Sequence, residues 1–260
     1  MASAACARAQ RGALANSASC PDRFGPAEST VVTAKNEYFY TPSECGEMLG
    51  ILTAGDTLTT YRCDFSGGKP SAHVWLVGDS HAQQWQGAVF DLARQRGWEV
   101  TTSYLGGCPV ADVAFQGFRS VWGPADAQRC IDWSRSVSNA IVVAQPDIVF
   151  TSMAAREQLV DDESGRPAID QFASGLDADW NRWAAAGVDV IAIADAPLNG
   201  AVRDPDCVIH NASDPVECAR PRAQAQPVDP IVVAGRSITD RSIQVLVFIN
   251  ETATTERCYA

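Results

Sequence analysis

The pattern of apolar and polar positions changes character at residue 73. Upstream, residues 1–72 are rich in Ala, Ser, Thr, Gly and Pro and hold no sustained period. They predict an irregular lead-in with at most a short helix over 42–49. Downstream, short apolar runs alternate with longer stretches of helical period. Residues 73–77 (HVWLV) end in a continuous apolar run, the sign of a strand buried on both faces. A helix over 81–96 follows, closed by Gly97, and then a strand over 98–102. The spacing of Ile131, Val137, Ile141 and Val142 predicts a second helix over 125–144, stopped by Pro146 and Asp147 before a strand over 148–152. Residues 153–167 read as an exposed polar loop. A third helix over 169–186 places Phe172, Leu176, Trp180 and Trp183 on one face, and a strand over 188–194 follows Gly187. After an irregular stretch at 199–230, a short helix over 231–239 and a fifth strand over 243–249 complete the series.

Strands separated by helix-length crossovers predict an α/β fold. The expected form is a three-layer α/β/α sandwich around a mostly parallel five-stranded sheet. The expected organisation is an irregular extension over 1–72, packed on an α/β domain over 73–260. In open sheets of this kind ligands gather beyond the carboxyl ends of the strands. Ser80, Gly106, Gly107, Ser152, Arg156 and Asp195 all fall on that edge.

The chemistry concentrates at Gly78-Asp79-Ser80, where the first strand gives way to its helix. A serine there presents its hydroxyl outward with its own N–H beside the helix start, as a nucleophile requires. The plainer alternative is that Asp79 or Ser80 only caps the helix. Acyl transfer also needs N–H donors for the oxyanion, and Gly106 or Gly107 fits that need, although the same pair also suits a tight turn. Asp79 is expected to hold the turn through backbone N–H groups. Asp195 is the better second carboxylate, or else an Asx-type turn at a strand exit. Of the three histidines, His81 directly follows Ser80; as a replacement base its ring is not expected to reach the Ser80 hydroxyl, and helix-start hydrogen bonding and shaping of the site suit it better. His210 lies between Cys207 and Cys218 in a loop able to fold over the rim, the other candidate base, and His73 lies at the opposite strand end, where a packed or surface role is expected. Phe115, Phe118 and Trp122 are candidates for stacking on a sugar ring, whereas Trp98, Trp180 and Trp183 read as packing.

Charge narrows the partners. Thirty-one acidic residues against 20 Lys plus Arg give a net charge of −11 with no basic run, so no nucleic-acid footprint is expected. The Gly78-Asp-Ser-His segment is not a dinucleotide loop, and the chemistry calls for no cofactor. Nine cysteines and only three histidines, with no Cys-x-x-Cys, favour disulfides over a metal cluster. The first eight fall into close pairs with 13, 17, 21 and 10 residues between members, suggesting Cys6–Cys20, Cys45–Cys63, Cys108–Cys130 and Cys207–Cys218. Cys258 is left over. The first ten residues lack the apolar stretch of a secretion signal, so the oxidised cysteines imply an extracytoplasmic part of a longer protein, tethered by a segment upstream.

Several short motifs, in order along almost the whole chain, resemble the SGNH hydrolase-like domain of acyltransferase-3 membrane proteins, which O-acetylate cell-surface carbohydrate. They are Cys6 with Gly12-Ala13-Leu14 and Cys20, Gly78-Asp79-Ser80-His81, Gly107-Cys108-Pro109, Cys130-x-x-Trp133, Pro146-Asp147-Ile148-Val149 and Asp195-Ala196-Pro197. The resemblance implies a flavodoxin-like sandwich, Ser80 as the acyl-accepting nucleophile and Gly107 at the oxyanion position. It also implies an acyl ester or glycan substrate and an upstream membrane acyltransferase domain. Where the superfamily places a Gly-x-Asn-Asp block, this chain has Thr151-Ser152-Met153-Ala154-Ala155-Arg156, so Ser152 or Arg156 is expected to assist instead. Family members carry an Asp-x-x-His block shortly after a segment resembling Glu256-Arg257-Cys258-Tyr259-Ala260. Its absence here implies a chain cut short of its base, possessing esterase or acetyltransferase architecture but reduced turnover. The alternative is a glycan-binding accessory domain on the same fold.

The cysteine pairing gives a direct test. Thiol titration of the unfolded, non-reduced protein is expected to find one free thiol, nine cysteines less four pairs, and nine free thiols would contradict an oxidising compartment.

Overall fold

The computed structural model describes residues 41–48, 53–54, 57–58, 60–118, 123–155, 158–196, 205–226, 228–248 and 257–258. Along the chain, β1 (Cys45–Met48) precedes the short ribbon of β2 (Thr53–Ala54) and β3 (Thr57–Leu58), then β4 (Thr60–Asp64) and β5 (His73–Gly78). α1 (Ser80–Gln84), α2 (Gln86–Arg96), β6 (Glu99–Tyr104), β7 (Phe115–Phe118) and α3 (Pro124–Ala144) follow. Next come β8 (Ile148–Ser152), β9 (Gln158–Val160), α4 (Ala168–Ala185) and β10 (Asp189–Ile193). Last are α5 (Pro205–His210), β11 (Arg220–Pro221), α6 (Arg222–Ala225), α7 (Pro230–Gly235), β12 (Ile243–Leu246) and β13 (Arg257–Cys258).

Two compact units divide these elements. The larger takes its described residues from 41–195 and 228–246, the smaller from 196–226, 247–248 and 257–258. In the smaller unit β11 pairs antiparallel with β13, and Cys207–Cys218 joins α5 to a 3-10 turn at Pro215–Cys218.

The larger unit is a seven-stranded sheet in the order β1-β4-β6-β5-β8-β10-β12. The five strands from β6 to β12 are mutually parallel. β4 and β1 extend the sheet antiparallel. This confirms the α/β sandwich and adds two strands to it. The residues expected to form a helix over 42–49 instead contain strand β1, paired with β4 through the Cys45–Cys63 disulfide. An edge strand takes its conformation from the strand beside it, and nothing local in Cys45-Gly-Glu-Met announces that neighbour.

β5 lies at the centre and its side chains alternate between two cores. Val74 and Leu76 meet Val89, Phe90 and Ala93 of α2. Trp75 and Val77 share the opposite core with Trp133, Val137 and Ile141 of α3 and with Phe172, Leu176, Trp180 and Trp183 of α4. Burial on both faces is why the strand is apolar at consecutive positions. The single helix expected over 81–96 is broken at Trp85, which bonds back to the Ala82 carbonyl at 3.0 Å. Gly97, left-handed at φ 67°, closes α2. The expected loops around 115 and 158 are a small antiparallel ribbon of β7 and β9. That ribbon buries Phe115 to 3 % exposure, which removes it from sugar stacking, while Trp122 lies outside the described residues. Trp180 and Trp183 are fully buried, as their helical spacing predicts.

The Cys45–Cys63, Cys108–Cys130 and Cys207–Cys218 pairs are all present. The Cys6–Cys20 pairing lies outside the described residues.

At the carboxyl end of β5, Gly78 has φ 142°, and a Cβ built there would stand 2.1 Å from the Ser152 carbonyl oxygen and 2.8 Å from Ala82 Cβ. Both neighbours belong to packed elements and cannot withdraw. Gly78→Ala is therefore expected to lower the unfolding free energy by about 1–3 kcal/mol. Urea denaturation checks this, and an unchanged midpoint would contradict it.

Candidate active site

The site is built at four adjacent strand exits. β6, β5, β8 and β10 are neighbours and run parallel, so the segments leaving them share one edge. Register places Gly78 opposite Tyr104 on one side and Ser152 on the other. The Ser80 turn therefore stands between the exits of β6 and β8.

Asp79 makes that turn. It is the N-cap of α1: its Oδ1 accepts from His81 N at 2.8 Å, while its Oδ2 accepts from Ala154 N at 2.8 Å, just beyond β8. The carboxyl is fully buried. Burial pushes its pKa up to about 6, against the stabilising pull of the Ala154 and His81 N–H groups and of the His81 ring. Ser80, the next residue, is exposed, and its hydroxyl has no hydrogen-bond partner among the described residues. Because α1 has only five residues, the helix dipole at Ser80 is that of little more than one turn.

The neighbouring exit carries a glycine turn. Cys108 N bonds to the Leu105 carbonyl at 2.9 Å, closing a turn with Gly106 and Gly107 at its centre. Gly107 is left-handed at φ 73° and buried, and a Cβ there would meet the Phe118 ring at 2.6 Å. The half-buried Phe118 thus packs on the turn. Leu105 N bonds the Gly78 carbonyl at 3.1 Å, and the Cys108–Cys130 disulfide ties the turn to α3. The turn and the oxyanion readings of this glycine pair are compatible.

Ser152 is 1 % exposed and donates its hydroxyl to the Ile193 carbonyl at 2.8 Å, linking β8 to β10. Its carbonyl faces Gly78, so it acts on the turn through the backbone. Arg156 lies outside the described residues. Asp195, which leaves β10, is 5 % exposed and accepts from Ala155 N at 3.1 Å on Oδ2. Its Oδ1 lies 2.6 Å from His81 Nδ1. Asp195 N in turn donates to Asp229 Oδ2 at 2.8 Å, and Asp229 caps α7 through Ile231 N at 2.7 Å.

Sequence reasoning placed Ser80, Gly107, Ser152 and Asp195 on one edge, and the structure puts them there. It missed the bond between His81 and Asp195, which are 114 residues apart, and it missed Asp229 altogether. The only available signal for Asp229 was an aspartate directly before Pro230, a helix-start pattern. Of the other two histidines, His73 is exposed at the amino end of β5, 3.1 Å from Glu99, and His210 belongs to the smaller unit, where it bonds the Asp206 carbonyl within α5. Among the described residues no group of three or more His, Cys, Asp or Glu could hold a metal ion.

Comparison with known proteins defines the class. Residues 50–260 match the family described as SGNH domain (fused to AT3 domains), and the chain belongs to that family. Among solved structures, it is similar to the periplasmic domain of a lipopolysaccharide acetyltransferase from Salmonella ser. Paratyphi A. The two share a TM-score of 0.51 and 13% sequence identity over 72% of this chain and 70% of that one. At that identity the likeness is one of fold. No curated protein matches the chain.

The raised pKa of Asp79 fixes a pH dependence. The folded chain holds the Asp79 proton more tightly than the unfolded chain, whose value is near the ordinary 3.8. The associated stability is complete below about pH 4 and is lost as pH rises through about 6. Asp79→Asn has no such proton and one acceptor fewer for two N–H groups. It is expected to be less stable than wild type by about 1–3 kcal/mol at low pH. That gap should narrow from about pH 4 to 6. Denaturant titrations across this range check it, and a constant gap would contradict the assignment.

Proposed function

We propose that this domain transfers or hydrolyses O-acyl groups, acetyl first among them, on carbohydrate outside the cytoplasm. An acyl-serine forms at Ser80. The observation that carries this reading is the exposed Ser80 hydroxyl at a buried, carboxylate-held strand exit, with the Gly106–Gly107 turn at the adjacent exit. Ser80 N–H and Gly107 N–H are the oxyanion donors in this reading. Ser152 keeps the β8 exit in place, and Arg156 supplies the polar assistance that the superfamily draws from an asparagine.

Several findings support the setting. The family is described as fused to AT3 domains, which fits a membrane acyltransferase domain as the donor-side partner. The similar structure is a periplasmic domain of a lipopolysaccharide acetyltransferase, which fits a cell-envelope glycan as acceptor. Three disulfides among the described residues fit an oxidising compartment. Among the described residues no helix is long and apolar enough to cross a membrane.

A fluorophosphonate probe tests the nucleophile. Wild type is expected to be labelled and Ser80→Ala to lose the label, as read by intact mass. Equal labelling of the two would remove Ser80 from the mechanism.

A further inference from the structure

Within the larger unit, a cavity of about 940 Å³ opens between α3 and the sheet at the amino end of β5, away from the Ser80 edge. Its floor follows from strand register. Thr101 of β6 pairs with Arg62 of β4 on one side and with Trp75 of β5 on the other, so the three side chains form one row across the sheet. Two positions earlier Glu99 pairs with His73, and by the two-residue period of a strand this pair shares the same face. Neither β4 nor β6 adds a residue to the core that β5 shares with α3 and α4, so the face turns polar there.

The cavity lining holds polar groups with nothing to bond. Trp75 is 8 % exposed and Thr101 5 %, yet among the described residues the indole N–H has no acceptor and the hydroxyl no partner. Groups so buried are ordinarily paired. Glu99 is approached on one oxygen, Oε1, by His73 Nδ1 at 3.1 Å and Arg62 Nε at 3.6 Å. Its Oε2 has no partner among the described residues. On the helix wall Asn139 accepts from Arg182 on its amide oxygen at 2.9 Å, and its NH₂ is unused. Beside it Ala140 and Val143, the latter 84 % exposed, give the wall an apolar strip.

These groups define the occupant. Glu99 Oε2 accepts, the indole and the amide donate, and the Thr101 hydroxyl does both. Fixed donors interleaved with fixed acceptors suit hydroxyl groups, each of which gives and takes one bond. An anion would face the open oxygen of Glu99 and a cation the Arg62 guanidinium, so the complementary ligand is neutral. Its carbon–hydrogen surface has the Ala140 and Val143 strip to lie on, and the volume is that of a small-molecule site.

We propose that this cavity binds a neutral sugar unit of a carbohydrate chain. Identifying that chain with the acyl acceptor rests on the function proposed above, whereas the binding itself does not. From His73 to Gly78 the strand advances about 17 Å. The unit held here is therefore a different one from the unit acylated at Ser80, and the cavity anchors the chain at a distance from the chemistry.

Nitrogen-15 NMR of the indole N–H groups tests the proposal, with Trp75→Phe assigning the Trp75 signal. The probes are neutral gluco-, galacto-, manno- and rhamno-oligosaccharides, with inorganic phosphate and an oligogalacturonate as charged counterparts. At least one neutral oligosaccharide is expected to move the Trp75 signal saturably. Glu99→Gln and, on the exposed helix wall, Asn139→Ala should each raise its Kd by about tenfold or more. Ser80→Ala should bind as wild type does. A Trp75 signal unmoved by every neutral probe, movement by the charged probes alone, or an unchanged Kd in both variants would overturn the inference. Failure of the fluorophosphonate to label Ser80 while the Trp75 signal still moves would remove the proposed reaction and leave the sugar site standing, and the converse result would remove the sugar site alone.

Discussion

The close approach of Gly78 to the Ser152 carbonyl is the constraint on which the site depends. Parallel strands β5 and β8 lie at ordinary sheet spacing, but at their carboxyl ends the chain must turn out of the sheet in the space one hydrogen atom leaves. That turn sets Asp79 beneath the sheet edge, where its two oxygens bind the first turn of α1 and the exit of β8 together. Ser80 emerges from a position fixed on both sides. Ser80 can remain exposed because the residue before it is fully buried.

The β8 exit occupies a singular electrostatic position. The consecutive N–H groups of Ala154 and Ala155 go to different carboxylates, Asp79 and Asp195. Asp229 continues the series by receiving Asp195 N. Main-chain dipoles thus help to solvate this buried negative charge. The solvation is incomplete at Asp79, whose proton affinity rises with its burial. On the other flank the Gly106–Gly107 turn is held by an unlike set of forces, namely a disulfide into α3, the Phe118 ring and a main-chain bond from Leu105 to Gly78. One flank is electrostatic and adjustable, and the other is covalent and steric.

Much of this is legible in the amino-acid sequence. Val74 to Val77 announced a doubly buried strand because no side of it meets water, and the Gly78-Asp79-Ser80 turn followed from its position between strand and helix. The close cysteine pairs at 45 and 63, 108 and 130, and 207 and 218 were readable from spacing. The strand at 45–48 was not, nor was the β7–β9 ribbon that turned Phe115 inward, because short strands are stabilised by partners distant in sequence. The break at Trp85 escaped for a similar reason: the local sequence is helix-compatible throughout, and packing chose the interruption.

What the sequence determined by itself is what depends on neighbours along the chain: the order of strands and helices, the turn at Gly78, the capping carboxylate at 79 and the exposed serine after it. The tertiary structure alone decided what depends on strand order. Placing β8 between β5 and β10 brought Ala154 to Asp79, Ala155 to Asp195 and the ring of His81 to a carboxylate 114 residues away. Periodicity reports which side of an element faces the core. It carries no information about which elements become neighbours, and the partners of buried charges are chosen by that adjacency.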